Sequence, residues 1–140
     1  EVAAGQDVRF EAATIPSVAY TDPEVAWMGL TETEARLHQI PHEVASIPWA
    51  ASGRAMTLGR TEGRTKLITD PTDHRILGAG IVGPQAGELI GELVLAREMG
   101  AVAQDLALTI HPHPTLSETV ALAAEWAEGT ITDLYRPAGR

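Results

Sequence analysis

The 140-residue sequence contains no cysteine and few basic residues, with Lys+Arg 10 against Asp+Glu 19. The missing cysteines exclude disulfides and thiol chemistry within the chain. The formal net charge of −9 repels phosphate backbones and anionic lipid, so nucleic acid and membranes are poor partners. The same acidic surface favours a partner that carries a basic patch. No apolar run reaches the roughly 18 residues of a membrane span, and no secretory leader is recognisable. We therefore expect a soluble, cytoplasmic protein.

The composition is that of a single globular domain. Hydrophobic residues make up 44% and charged residues 21% of the chain, which indicates neither disorder nor a fibrous repeat. The first residues carry little pattern and the chain does not begin with methionine, so we expect either a domain cut from a longer chain or a processed protein. The predicted division is a leading segment from an upstream domain (residues 1–13), one folded domain (residues 14–128) and a C-terminal arm (residues 129–140).

Alternating and helical patterns together predict an α+β fold. Alternating segments predict strands at residues 25–30, 43–49, 65–69 and 76–82. Helical patterns are predicted at residues 31–39, 85–99, 101–108 and 116–126. The first of these helices opens with a capping box of Thr31 and Glu34, whereas residues 50–60 resemble a loop or an irregular strand. A turn at residues 70–74 joins two strands as a hairpin, so the expected architecture is an antiparallel sheet with helices packed on it.

One glycine motif invites a dinucleotide-binding interpretation. Gly78, Gly80 and Gly83 match G-x-G-x-x-G, which in nucleotide-binding folds follows a full buried strand and opens a helix. Here only three residues separate Gly78 from the preceding turn, and Pro84 follows the last glycine. The motif is better explained as the strand itself, with glycines where another backbone approaches closely.

The stretch from His111 to Glu118 reads His-Pro-His-Pro-Thr-Leu-Ser-Glu and holds two of the five histidines. A residue before proline is pushed into extended geometry, so His111 and His113 are expected on one face, just before a helix. Imidazole is the side chain whose ordinary pKa lies near neutrality, which suits a histidine held there to proton transfer.

Three interpretations of this stretch remain open. In the first, Thr115 and Glu118 form a capping box and the histidines are ordinary polar residues. In the second, His111 and His113 are metal ligands, although the chain offers no cysteine and no third ligand at a suitable spacing. In the third, His113 and Glu118 form a dyad in which the carboxylate orients the imidazole and stabilises its protonated form. The chain shows no nucleophile for such a dyad.

Four segments of the chain are similar to segments of one known family: residues 15–31, 48–55, 81–83 and 109–118. Over them the chain resembles the C-terminal interface domain of the flavin-dependent (pyridine nucleotide) disulfide oxidoreductases. The most specific element is His-x-His-Pro-Thr-Leu-x-Glu at residues 111–118. Within this family the dihydrolipoamide dehydrogenase group is the most similar, and the resemblance covers nearly the whole chain.

The resemblance implies an interface-domain fold, a homodimer and an active site shared between subunits. By position, His113 is the acid-base catalyst and Glu118 its partner. The pair would act on the partner subunit's flavin and disulfide site in the NAD-dependent oxidation of dihydrolipoamide. The resemblance also implies a cis bond before Pro114, with the backbone there near the partner's flavin, so Pro114 is the candidate cofactor-binding residue. Pro112 stands where many members carry alanine.

The family's FAD and NAD domains and its redox-active cysteine pair have no counterpart in this sequence. We therefore expect that the chain alone binds neither cofactor tightly and is inactive, and we expect no metal site. In the family, the interface domains also dock the peripheral subunit-binding domain of the dihydrolipoyl acyltransferase in 2-oxo acid dehydrogenase complexes. The alternatives are an interface domain from a glutathione-type or mercuric-type reductase, or a purely structural dimerisation module in which His113 and Glu118 only cap a helix.

Overall fold

The computed structural model describes residues 2–135. Within them, five antiparallel strands form one sheet in the order β1-β2-β5-β4-β3. The strands are β1 (Ser17–Ala19), β2 (Val25–Gly29), β3 (Glu43–Pro48), β4 (Arg64–Thr69) and β5 (Ile76–Val82). The helices are α1 (Glu32–Leu37), α2 (Gly53–Leu58), α3 (Ala86–Glu98), α4 (Ala103–Leu108) and α5 (Glu118–Glu128), with single 3₁₀ turns at Val2–Ala4 and Trp49–Ala51.

The core lies between the sheet and the helices of the second half of the chain. Helix α3 packs on β5 and β2, α5 packs on β3 and β4, and α4 packs on α5. In β2, the buried Ala26 and Met28 alternate with the partly exposed Trp27, as expected for a sheet with one face on the core. The predicted α+β architecture is confirmed. None of the helices within residues 2–135 is long and apolar enough to cross a membrane.

Gly78 and Gly80 of the glycine motif lie within β5, and Gly83 follows its last residue. A Cβ atom added to Gly78 would lie 1.9 Å from the carbonyl oxygen of Leu30, so the backbone that follows β2 leaves no space for a side chain at this position. The strand interpretation is confirmed, together with its explanation of the glycine by close approach. Strand β3 lies at one edge of the sheet and its last residue is Pro48, a position where proline's missing N–H is tolerated.

The prediction of a loop or irregular strand at residues 50–60 is wrong. The Oγ atom of Ser52 accepts a hydrogen bond from Ala55 N (3.3 Å) and caps the start of α2, and Gly59, with φ of 66°, ends that helix. The helix has only six residues and buries a single one of them, Ala55, so it carries no apolar stripe from which its period could be identified.

The described part of the predicted C-terminal arm lies against the domain. Ile131 and Leu134 are partly buried and pack on the hydrophobic core. Residues 136–140 of the arm fall outside the described residues. The division into residues 1–13, 14–128 and 129–140 stays a prediction.

A chain of buried hydrogen bonds joins the sheet to the start of α5. Trp49 Nε1 donates to Thr65 Oγ1 (2.9 Å), Thr65 Oγ1 lies 2.8 Å from Thr119 Oγ1, and Thr119 Oγ1 donates to the carbonyl oxygen of Leu116 (2.8 Å). The indole and the carbonyl at the two ends fix the direction, so Thr65 donates to Thr119. All three side chains are completely buried. The first turn of α5 is therefore tied to β4 through the core.

We expect Thr65→Val to lower the free energy of unfolding by about 1–3 kcal/mol, because it preserves shape but leaves the buried indole N–H of Trp49 without an acceptor. Urea denaturation of the purified chain measures the change. The matched control is Thr57→Val on the exposed face of α2, for which a change within about 0.5 kcal/mol is expected. Equal effects of the two substitutions would contradict a stabilising role for the buried chain.

Candidate functional site

The segment between α4 and α5 folds back on itself around Pro114. The His113–Pro114 peptide bond is cis, as the resemblance implies. Thr115 Oγ1 donates a hydrogen bond to the carbonyl oxygen of Pro112 (2.7 Å) and lies 2.8 Å from Ser117 Oγ. Residues 112–114 are exposed, so the turn presents its tip to solvent while its base is hydrogen-bonded internally.

The carboxylate of Glu118, the first residue of α5, holds this turn from both sides of the cis bond. Its Oε1 atom accepts a hydrogen bond from His113 Nδ1 (2.8 Å), and its Oε2 atom accepts one from Thr115 N (2.7 Å). His113 and Thr115 flank Pro114 in the sequence. One side chain therefore fixes both the imidazole and the backbone that follows the proline.

The predicted capping box of Thr115 and Glu118 forms only in part, and in the turn that precedes α5, because the N-cap of that helix is Ser117. The Glu118 side chain accepts from the Thr115 amide as a box requires. The Thr115 hydroxyl, however, is directed to Pro112 and Ser117, because the turn around the cis bond brings the Pro112 carbonyl within its reach. The capping and dyad interpretations do not exclude each other, since each uses a different oxygen of one carboxylate.

The hydrogen bond to Glu118 determines which nitrogen of His113 is basic. An ionised carboxylate only accepts hydrogen bonds, so the proton of a neutral His113 is on Nδ1 and the lone pair is on Nε2. The His113 side chain is 79% exposed, so a reacting group can approach Nε2. A histidine in this arrangement accepts a proton at Nε2 while the carboxylate stabilises the imidazolium that results.

The net pKa of Glu118 lies below its ordinary value. Partial burial acts to raise this pKa, but the hydrogen bonds from Thr115 N and His113, together with the nearby positive charge of protonated His113 and His111, outweigh it. Because the folded-state pKa is depressed, the carboxylate stays ionised at neutral pH. The stability that the ionised carboxylate gives to the turn is lost only when the pH falls through that lowered pKa.

His111 and His113 border one cleft, as their spacing predicts, but different helices hold their side chains. His111 Nε2 lies 2.7 Å from Glu92 Oε1 on α3, and His111 Nδ1 lies 3.0 Å from the carbonyl oxygen of Thr109. Within residues 2–135, no group of three or more histidines and carboxylates is placed to hold a metal ion. The metal interpretation of the two histidines has no support.

The cleft beside His113 has a volume of about 260 Å³. Besides the two histidines and Glu118, its lining includes Ser52, Glu125 and Asp133. Burial raises the pKa of Glu125, and the charge of Asp133 adds to this effect. The sequence analysis missed Glu125 and Asp133, because no local motif marks acids that meet only when the tail lies against α5.

Pro114, the candidate cofactor-binding residue, borders a second cleft of about 410 Å³. The remaining lining residues are Arg54, Leu58, Gln85, Thr115 and Leu116. Both clefts are open to solvent, and they share no lining residue. The neighbouring residues His113 and Pro114 therefore border two different clefts.

Comparison with known proteins identifies the class to which this fold and site belong. Residues 15–124 match the family described as pyridine nucleotide-disulphide oxidoreductase, dimerisation domain, and the chain belongs to this family. It is similar to the dihydrolipoyl dehydrogenases of Vibrio cholerae (58% identical over 134 residues) and Haemophilus influenzae (59% identical over 134 residues). Each alignment covers 96% of this chain and 28% of the relative, so the chain spans less than a third of those proteins.

Solved structures agree with this assignment. The chain superposes on LpdA from Mycobacterium tuberculosis with a TM-score of 0.81, at 24% identity, over 89% of this chain and 27% of that one. This similarity establishes the fold. The HOCl-induced flavoprotein disulfide reductase RclA from Escherichia coli gives a TM-score of 0.73 at 29% identity, over 76% of this chain and 25% of that one.

We expect Glu118→Gln to move the proton of neutral His113 from Nδ1 to Nε2. The amide oxygen of Gln can keep the bond from Thr115 N, which leaves its NH₂ group facing Nδ1, and a donor there requires Nδ1 to be the acceptor. Nitrogen NMR of the chain labelled in histidine distinguishes the two tautomers, with the exposed His38 as an internal control. A variant in which His113 keeps the Nδ1 proton would contradict this account of the dyad.

Proposed function

We propose that this chain is the dimerisation domain of a dihydrolipoyl dehydrogenase and supplies the His113–Glu118 pair to the partner subunit's flavin and disulfide site. The observation that carries the proposal is an exposed imidazole whose Nδ1 is held by an ionised carboxylate, which leaves Nε2 as a base. The family of the chain and the names of its relatives support the choice of reaction, which is the NAD-dependent oxidation of dihydrolipoamide.

The chemistry requires a base at this position. A dithiol is oxidised by exchange with a disulfide, and the attacking species is the thiolate. In the proposed step, His113 Nε2 accepts a proton from one substrate thiol. The resulting thiolate attacks a sulfur of the partner's disulfide, whose S–S bond breaks and releases a cysteine thiolate. This attack leaves a mixed disulfide between the substrate and the other cysteine. The second substrate thiol gives its proton to the released cysteine thiolate and attacks the substrate sulfur of the mixed disulfide, so that the second cysteine leaves as a thiolate. The substrate then departs as a disulfide, and the cysteine pair, as one thiol and one thiolate, holds the two electrons.

Glu118 serves this proton transfer in two ways. Its Oε1 atom keeps the proton of neutral His113 on Nδ1, so that Nε2 faces the substrate, and its charge stabilises the imidazolium once Nε2 is protonated. Its bond to the Thr115 amide fixes the backbone on the other side of Pro114. The base is therefore oriented before a substrate arrives.

FAD and NAD are proposed cofactors of the parent enzyme, held by domains outside this chain. When bound in those domains, the flavin would supply an electron acceptor for the cysteine pair, and NAD would supply the final acceptor. Pro114 is exposed and borders an open cleft, so its backbone is free to lie against a ring edge presented by the partner. On this proposal, the isolated chain turns over no substrate.

The proposed partners are a second copy of the chain and the other domains of the parent enzyme. Exposed apolar side chains offer surface for the second copy. They are Leu95 on α3, Met99 just after that helix, and Ile110 just before the histidine motif. The peripheral subunit-binding domain of a dihydrolipoyl acyltransferase is a further proposed partner, supported by the net charge of −9. A cytoplasmic location fits these assignments and stays a prediction.

We expect His113→Gln in the full-length enzyme to lower turnover of dihydrolipoamide with NAD by about 10²- to 10⁴-fold, because it removes a general base. Flavin content and dimer mass should be unchanged, since the side chain is exposed. His38→Gln, an exposed histidine at the end of α1, is the matched control and should leave turnover unchanged. Normal turnover of His113→Gln would refute the catalytic role and favour a purely structural module.

A further inference from the structure

His111 is the histidine that the proposed reaction does not use, and its side chain is the less exposed of the two in the motif. Its side chain is 6% exposed, against 79% for His113. Both ring nitrogens face oxygens, Nδ1 the carbonyl of Thr109 at 3.0 Å and Nε2 the carboxylate of Glu92 at 2.7 Å. A buried imidazole whose two nitrogens both have hydrogen-bond partners is part of the folded structure and not a solvated polar residue.

The two partners of this ring are both hydrogen-bond acceptors. A backbone carbonyl and an ionised carboxylate only accept, so each hydrogen bond that His111 makes to them is one that it donates. The half-buried carboxylate of Glu92 is the side chain that faces Nε2.

The pair connects the catalytic turn to a rigid element. Glu92 lies on α3, which is anchored in the core by its neighbours Ile90 and Leu93. His111 lies two residues before His113, in a segment without regular secondary structure. Glu118, which follows the turn in the sequence, holds His113, and the Glu92–His111 pair holds the residue two positions before His113.

We propose that Glu92 and His111 are positioning residues that fix the backbone leading into His113 and so keep Nε2 of His113 in its reactive position. The inference rests on the proposed function of His113. Neither residue touches the substrate on this account, and both act through His113. A displacement of a catalytic group by about 1 Å can lower the rate about 10²-fold, which is the scale of effect available to such a pair.

The first test is Glu92→Leu in the full-length enzyme. We expect kcat to fall about 10- to 100-fold with KM, flavin content and dimer mass nearly unchanged, because the base is present but displaced.

Glu92→Gln is the conservative variant, since its NH₂ group can donate to Nε2 of a neutral His111 whose Nδ1 still donates to Thr109. The kcat of Glu92→Gln should stay within about threefold of that of the parent enzyme, which corresponds to a change of less than about 1 kcal/mol in activation free energy. Glu88→Gln, an exposed carboxylate one turn earlier on α3, controls for loss of charge.

The second test asks whether Glu92 acts through His113. In a His113→Gln background, Glu92→Leu should lower kcat no further, because the group it positions is gone. His111→Asn, which is too short to reach from its backbone to Glu92, should give the same fall and the same loss of effect in that background. If Glu92→Leu does not fold, His111→Asn provides the same test.

The outcomes separate this inference from the proposed function. If His113→Gln lowers turnover but Glu92→Leu and His111→Asn do not, the positioning role is refuted and the base remains. If these two variants lower kcat by the same factor with and without His113, or if Glu92→Gln gives no recovery, the pair does not act by positioning His113 and the inference fails. If His113→Gln leaves turnover normal, the proposed function itself fails.

Discussion

The site depends on the two hydrogen bonds accepted by the carboxylate of Glu118. These bonds come from His113 and from Thr115, on either side of a cis peptide bond, so the same side chain sets the shape of the turn and the protonation of the imidazole. Removing either bond would free one half of the turn. The interaction that begins helix α5 is thus also the interaction that makes Nε2 of His113 the basic nitrogen.

Rigid elements on both sides support that carboxylate. The first turn of α5 is tied to β4 through the buried hydroxyls of Thr119 and Thr65 and the indole of Trp49. The segment before His113 is tied to α3 through His111 and Glu92. On the proposed function, His113 is a catalytic group carried by a turn, and such a group keeps its position only when its neighbours fix it. The sheet, α3 and α5 supply those neighbours.

Sequence reasoning succeeded where the deciding contacts were local. The capping box of Thr31 and Glu34 forms as predicted, because both partners lie within one helical turn. The same four-residue pattern at Thr115 and Glu118 forms only half a box, because the fold around Pro114 offers the hydroxyl a different acceptor. Helix α2 escaped detection because it has six residues and buries only Ala55, which leaves no periodic apolar stripe.

The assignment of His113 as catalyst came from the resemblance of the motif to a family, since the residues alone left three interpretations open. Glu92 could not have been predicted as the partner of His111, because 19 residues separate them and only the packing of α3 brings them together. The acids Glu125 and Asp133 were missed for the same reason. Contacts between distant elements, which decide much of this site, leave no periodic signal in the sequence.

The central claim is that His113 acts on the active site of the other subunit. The most direct test forms mixed dimers from two inactive full-length subunits, one carrying His113→Gln and the other lacking its redox-active cysteines. If the base works across the interface, the subunit with intact cysteines receives an intact His113 from its partner, and the mixed dimer regains turnover at one of its two sites. If His113 serves its own subunit, the mixed dimer stays as inactive as its parents, which would contradict the account.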